Sequence, residues 1–382
     1  MDLGSLIVAA FLSLGLIGTD AVLNAGTVNF DIQVTDDLSK RGFTPQLVEA
    51  MMDIDLKALV DFKSMIHPPQ IRSSQQKSVV GAVADSLNLK EVTSSFQSDF
   101  GLNPVRLTGS LMQSGKDGQE FRFVLAGESR HTGQFIIDET SAGRPLPKFL
   151  DDMAIEVVAK IEPYAAAIHE FSVMSANLIG DKSQSGHEAF KDYITALAAS
   201  ESGEQDSDLD HSALHNLLGL SALMAHDLAG ADEAFKMSIA LDPTMGIPLV
   251  NLALADVSQH DFDAAITLAD SALSMRRVRD TPYVFANAYT VKALALWGKN
   301  DLKGAAEQFR AAVWAYPATM WGYFYWAELL NSVGNKKDAD LLRARAQHNL
   351  NTYETYPEVA FLHVRVLTSK GFALKPIYHR KN

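Results

Sequence analysis

Apolar and polar residues alternate over Val28-Asn29-Phe30-Asp31-Ile32-Gln33-Val34, the pattern of a half-buried strand. Behind it, Thr44-Pro45 offers a capping hydroxyl followed by proline at the first helical position. Leu47, Val48, Met51, Ile54, Leu56, Leu59 and Val60 then recur at about helical spacing, up to Pro68-Pro69. The polar run Arg72–Lys77 reads as an exposed loop, and a shorter helix is predicted over Lys90–Phe100, ended by Gly101. Three strand patterns follow, Val105–Leu111, Phe121–Leu125 and Gln134–Ile137. The glycine-bearing stretches Ser114–Gly118 and Gly127–His131 read as the turns between them. Pro147 opens a helix whose Phe149, Met153, Val157, Val158 and Ile161 make one apolar stripe. The order β, α, α, β, β, β, α predicts a small α+β domain over residues 27–162.

Ahead of that domain, Leu3–Thr19 runs for 17 residues without a charge, bracketed by Asp2 and Asp20. That is the lower limit for a membrane-spanning helix, and a retained single-pass anchor over 3–19 is the expectation. A cleaved signal peptide is the alternative, but the stretch lacks a basic n-region and Leu23-Asn24-Ala25 fits the small-x-small cleavage rule poorly. Lysine and arginine are absent until Lys40 and Arg41. The positive-inside rule therefore has little to count, and the acids beside the span lean toward a soluble part outside the cytoplasm.

From residue 163 to about 350 the pattern is helical throughout, and it repeats. Leu218-Gly219, Ala231, Phe235 and Pro243 stand at the offsets of a ~34-residue helix–turn–helix unit. Ala231 is followed at intervals of 34, 40 and 34 by Ala265, Ala305 and Ala339. Ser238, Ala272, Ala312 and Ala346 keep pace seven residues behind, and Phe309 and Pro317 repeat the places of Phe235 and Pro243. Small residues at fixed places let two helices cross closely while a phenylalanine fills the gap beside them. Ala189 and Ala196 offer the same two places for an irregular first pair over Tyr164–Ile179 and His187–Ala198. This skeleton resembles that of tetratricopeptide repeat (TPR) proteins. Leu38, Gly42, Phe43, Thr44 and Pro45 are also similar to a segment of bacterial membrane-anchored repeat scaffold proteins. Departures include Leu252-Ala253 and Trp326-Ala327 in place of Leu-Gly, Lys292 on a usually apolar position, and an insertion around Val278–Phe285.

The predicted fold class is thus mostly α with an α+β part: an N-terminal transmembrane helix, a small α+β domain and a C-terminal TPR-like α-solenoid. A capping helix at Pro357–Thr368 and a basic tail with Lys375, Arg380 and Lys381 complete the chain over 357–382.

Charge and composition narrow the function. A formal net charge of −13 argues against nucleic acid as partner, since phosphate binding needs a basic face. With no cysteine, thiol nucleophiles, disulfides and thiolate metal sites are excluded. Gly109–Lys116 only superficially resembles a phosphate loop, because its glycines are one residue too far apart and Asp117 stands where Ser or Thr would ligate magnesium. His211 and His215 lie one helical turn apart after Asp206, Asp208 and Asp210, but neither a metalloprotease glutamate nor a calcium-loop spacing accompanies them. No nucleophile elbow is present, so neither an enzyme, a cofactor nor a metal is expected. An enzyme sited in the α+β domain is a further alternative.

All four tryptophans, Trp297, Trp314, Trp321 and Trp326, fall in the third and fourth repeats with Tyr316, Tyr323, Phe324 and Tyr325. The TPR resemblance implies that the first helix of each pair lines a concave groove. Its places carry Asn216, Leu220, Val250, Leu254, Asn287, Thr290, Leu294, Trp297, Trp321, Phe324 and Glu328. Of these, Asn216, Asn287, Trp297, Trp321, Phe324 and Glu328 are the candidate partner-binding residues. The lining lacks the Lys and Arg with which family members clamp a terminal carboxylate, so an apolar extended or helical protein segment is the expected ligand. The expectation is a membrane-anchored interaction scaffold or assembly subunit whose protein partner belongs to a membrane complex. A secreted or periplasmic binding protein is the alternative.

Overall fold

The computed structural model describes residues 26–62, 64, 72–73, 104–114, 120–177, 183–200, 207–275, 281–352 and 358. The span expected over 3–19, the helix expected over 90–100, the turn at 115–118, the basic tail and all of the capping helix except Glu358 lie outside them. Among the described residues no helix is long and apolar enough to cross a membrane. The chain divides into two compact units. One comprises Met1–Phe62, Pro69–Ala166 and Ser200–Gly203, and the other Lys63–Pro68, Ala167–Ala199 and Glu204–Asn382.

The first unit holds a five-stranded sheet. Its strands are β1 (Thr27–Val34), β2 (Arg72–Ser73), β3 (Val105–Ser114), β4 (Glu120–Ser129) and β5 (Gly133–Thr140), in the order β2-β1-β3-β4-β5. β1 runs parallel to β2 and β3, whereas β3, β4 and β5 form an antiparallel meander with Leu111 opposite Phe123 and Leu125 opposite Ile137. Alternation puts Val28, Ile32, Leu107, Leu111, Phe123 and Leu125 into the core. Helices α1 (Asp36–Lys40), α2 (Pro45–Val60) and α3 (Leu146–Ile161) accompany the sheet. α2 lies against β1 and α3, and α3 also meets β4 and β5. As the sequence predicts, Thr44 caps α2, its hydroxyl accepting from the Leu47 amide at 3.3 Å, and Pro45 opens the helix. Asp138 and Arg122 pair across the open side of the meander.

Two expectations for this unit are corrected. Arg72-Ser73 is a strand beside β1 and not loop, because backbone pairing needs no apolar pattern. Gly127 does not begin a turn. β4 runs on through it to Ser129, and the turn falls at Arg130–Thr132. A Cβ on Gly127 would stand 2.4 Å from Leu107 Cδ2, so the glycine serves a close cross-strand approach.

The second unit is a stack of antiparallel helix pairs. The division between units falls inside α4 (Pro163–Asn177), which α5 (Ser183–Ser200) follows. The Phe171 and Phe190 rings meet at 5.5 Å between them. α5 buries Phe190, Ile194 and Leu197 but leaves Ala189 and Ala196 exposed, which corrects their reading as close-packing positions. Its apolar stripe lies to one side of the alanines, so larger residues face inward.

Four regular pairs then follow: α6 (Ser207–Met224) with α7 (Leu228–Leu241), α8 (Gly246–Ser258) with α9 (Phe262–Ser274), α10 (Thr281–Gly298) with α11 (Leu302–Ala315), and α12 (Met320–Ser332) with α13 (Lys336–Thr352). The first helix of each pair packs on its own partner and on the first helix of the next pair, and the second helix also packs on the next first helix. Every member of both small-residue series, from Ala231 to Ala346, is fully buried. Ser238 uses its place for a reciprocal contact with Ser212. Ser212 Oγ donates to the Ser238 carbonyl at 2.7 Å and Ser238 Oγ to the Ser212 carbonyl at 2.6 Å.

The turn inside each pair is equally regular. His226, His260, Asn300 and Gly334 occupy one equivalent place, all with positive φ of 62°, 64°, 64° and 86°. The next residue caps the second helix: Asp227, Asp261 and Asp301 accept from the amides of Gly230, Ala264 and Gly304. Lys292 is explained by Asp270, to which its ammonium donates at 2.6 Å between α10 and α9.

Candidate functional site

The four first helices, α6, α8, α10 and α12, form one layer, and the residues read as groove-lining all sit on it. Leu220, Val250 and Leu254 on α6 and α8 are buried there. Asn216 on α6 is buried beside Asn251 on α8, whose Nδ2 donates to Asn216 Oδ1 at 2.8 Å. The same Nδ2 donates to the main-chain carbonyl of Glu358 at 3.0 Å. The Glu358 carboxylate accepts from Ser64 Oγ, and both residues are buried. Asn216 Nδ2 and Asn251 Oδ1 make no hydrogen bond. Together, Ser64, Asn216, Asn251 and Glu358 form a buried polar cluster at the layer of first helices.

Asn251 was not a candidate from sequence. Counting from the alanines lands on Val250, one residue and about 100° round the helix. Its partners Ser64 and Glu358 carry no local signal at all. The visible clue is the 35-residue spacing of Asn216 and Asn251, close to the repeat.

The remaining candidates stand elsewhere and are differently engaged. Asn287 Nδ2 donates to the Tyr283 carbonyl one turn earlier on α10, and Thr290 does the same to Ala286. Trp321, only 2% exposed, and Phe324 pack with Met320, Ala346 and Leu350 inside the last pair. Trp297 lies against the cluster of Ala293, Ala305, Phe309 and Leu329. Glu328 accepts from Arg343 Nη2 of α13 at 2.9 Å. Trp314, by contrast, is 86% exposed and belongs to a second helix, α11. The structure thus joins Asn216 to an amide partner, while Trp321, Phe324 and Glu328 hold α12 to α13.

Ionisable groups in the stack follow their surroundings. Asp256, near the C-terminal end of α8, is pushed up to about 6 by burial and by the neighbouring carboxylates of Asp261 and Asp232. Burial, then the nearby His211, lowers His215. Burial also lowers His187, whose Nδ1 lies 2.9 Å from Ser221 Oγ. Among the described residues no three His, Asp or Glu side chains converge as metal ligands do.

No family model matches the chain, and no curated protein does. Among solved structures, "MamA 41-end from Desulfovibrio magneticus RS-1" is 13% identical over 50% of this chain and 98% of its own, with a TM-score of 0.33. "MamA RS-1 ArsTM double mutant" is 14% identical, covering 50% of this chain and 97% of its own at a TM-score of 0.32. "MamA MSR-1 C2" is 17% identical, covering 47% of this chain and 95% of its own at 0.29. Likenesses of this size do not establish a shared function.

Proposed function

We propose that the chain is a protein-interaction scaffold, non-catalytic, whose helix-pair stack takes a partner's main chain against the inner layer of first helices. The observation that carries this reading is the Asn251 amide, which already holds a main-chain carbonyl, that of Glu358, 107 residues away in sequence. An amide side chain is suited to this work because it can donate to a carbonyl and accept from an amide at once.

The scaffold is further proposed to be tethered to a membrane through Leu3–Thr19, with its soluble part outside the cytoplasm. The uncharged length of that stretch supports the tether. A tether would raise the effective concentration of membrane-complex partners around the stack.

Affinity capture with the full chain, compared with an Asn216→Leu plus Asn251→Leu variant of unchanged circular dichroism, tests the binding reading. Capture is expected to fall at least tenfold, and equal capture overturns it. Alkaline carbonate extraction tests the tether. The chain should stay in the membrane pellet, and its quantitative release would remove the anchor.

A further inference from the structure

The four residues around Asn251 describe more than a surface. The donor on Asn251 is shared between Asn216 Oδ1 and the Glu358 carbonyl, so the site is engaged by the chain itself. Glu358 lies only six residues beyond the end of α13 at Thr352, yet it is fully buried against α8, two pairs back. It is fixed at two points, its carbonyl by Asn251 and its carboxylate by Ser64, from a segment 294 residues earlier. Taking a carboxylate out of water is costly, so a fold gains little by burying one merely as filling. Asn216 Nδ2 and Asn251 Oδ1 meanwhile leave one buried donor and one buried acceptor unspent. That is the complement of one further peptide group.

We propose that the segment carrying Glu358 is a built-in ligand of the Ser64–Asn216–Asn251 site and keeps it closed. A partner then opens the site by presenting an extended peptide with a glutamate at the same place. The inference rests on reading the inner layer as a binding surface, but the self-contact can be measured with no partner present. An intramolecular occupant works at an effective concentration in the millimolar range for a short flexible connection. A copy of the same segment added from solution therefore competes poorly until the tethered one is released.

The test is fluorescence anisotropy with a labelled synthetic peptide of residues 353–363, titrated with the full chain and with full-chain variants. Glu358→Lys expels the tethered segment, and it should bind the peptide at least tenfold more tightly than the parent chain. Ser64→Ala removes a hydroxyl that the tethered and the added segment both use, so alone it should give no gain, and added to Glu358→Lys it should weaken peptide binding about threefold. Asn251→Leu, similar in size and helix-forming, should abolish the gain when added to Glu358→Lys. Equal binding by the parent chain and the Glu358→Lys variant overturns the proposal, as does a gain that survives Asn251→Leu. Should Glu358→Lys fail to fold by circular dichroism, Glu358→Gln, which keeps the size and removes only the charge of the tethered segment, decides by the same criterion. A peptide that binds no variant also overturns it, and does so independently of whether partner capture needs Asn216 and Asn251.

Discussion

Gly219 has no side chain because Phe235 takes its place: a Cβ there would lie 2.5 Å from the ring's Cε1. At the corresponding positions of the second pair stand Ala253 and Ala269, where neither side chain is large. Gly219→Ala should gain about 1 kcal/mol of helix propensity and lose about 1–3 kcal/mol to overpacking, for a net loss. In a Phe235→Ala background the same change should stabilise, and urea denaturation of the four chains in a double-mutant cycle reads the reversal. Asp256 offers a pH signature. Its folded pKa of about 6 lies above the ordinary carboxylate value of 3.8. Its ionised form therefore weakens the fold above pH 6, and that loss is recovered as pH falls through 6 toward 4. Asp256→Asn should raise the melting temperature at pH 8 and leave it nearly unchanged at pH 4. The small-residue series could be read from sequence because identity and period coincide at each place. Asn251 could not, since a shift of one residue turns a helix position by about 100°.

Among elements, the turns within the helix pairs carry the repeat most faithfully. Gly334 has a φ of 86° and nothing within 4 Å of an added Cβ, so Gly334→Ala tests backbone strain without a clash. It should cost about 1 kcal/mol. Asp301→Ala should cost a similar ~1 kcal/mol by freeing the Gly304 amide. Thermal denaturation followed at 222 nm checks both. The strands and α2 were legible because alternation and capping are local signals. Strand ends were not: Gly127 reads as a turn residue until its close approach to Leu107 is seen. α5 misled in the opposite way, because Ala189 and Ala196 fit the repeat spacing while its buried face follows Phe190, Ile194 and Leu197. The insertion between the second and third pairs accompanies a first helix, α10, of 18 residues where α8 has 13.

At the scale of the whole molecule, an α+β unit and a helix-pair stack were both readable, because each rests on a period that a single sequence displays. The inner-layer site was only half readable. Asn216 lay on the predicted face, but Ser64 and Glu358 reach it across 152 and 142 residues of chain (216 − 64 and 358 − 216), and no local pattern encodes such a meeting. The aromatic cluster, the most conspicuous feature of the sequence, closes the last pair with Trp321 and Phe324 in its core. Trp321→Ala with Phe324→Ala should therefore lower the melting temperature strongly, by the several kcal/mol that two large core truncations cost. The central claim is that partners dock on the layer of first helices, and hydrogen–deuterium exchange of the full chain with a captured partner reads it most directly. The account predicts slowed exchange in α6 and α8, around Asn216 and Asn251, with the second helices unchanged. Slowing confined to α7, α9 and α11, or to the sheet of the first unit, would contradict it.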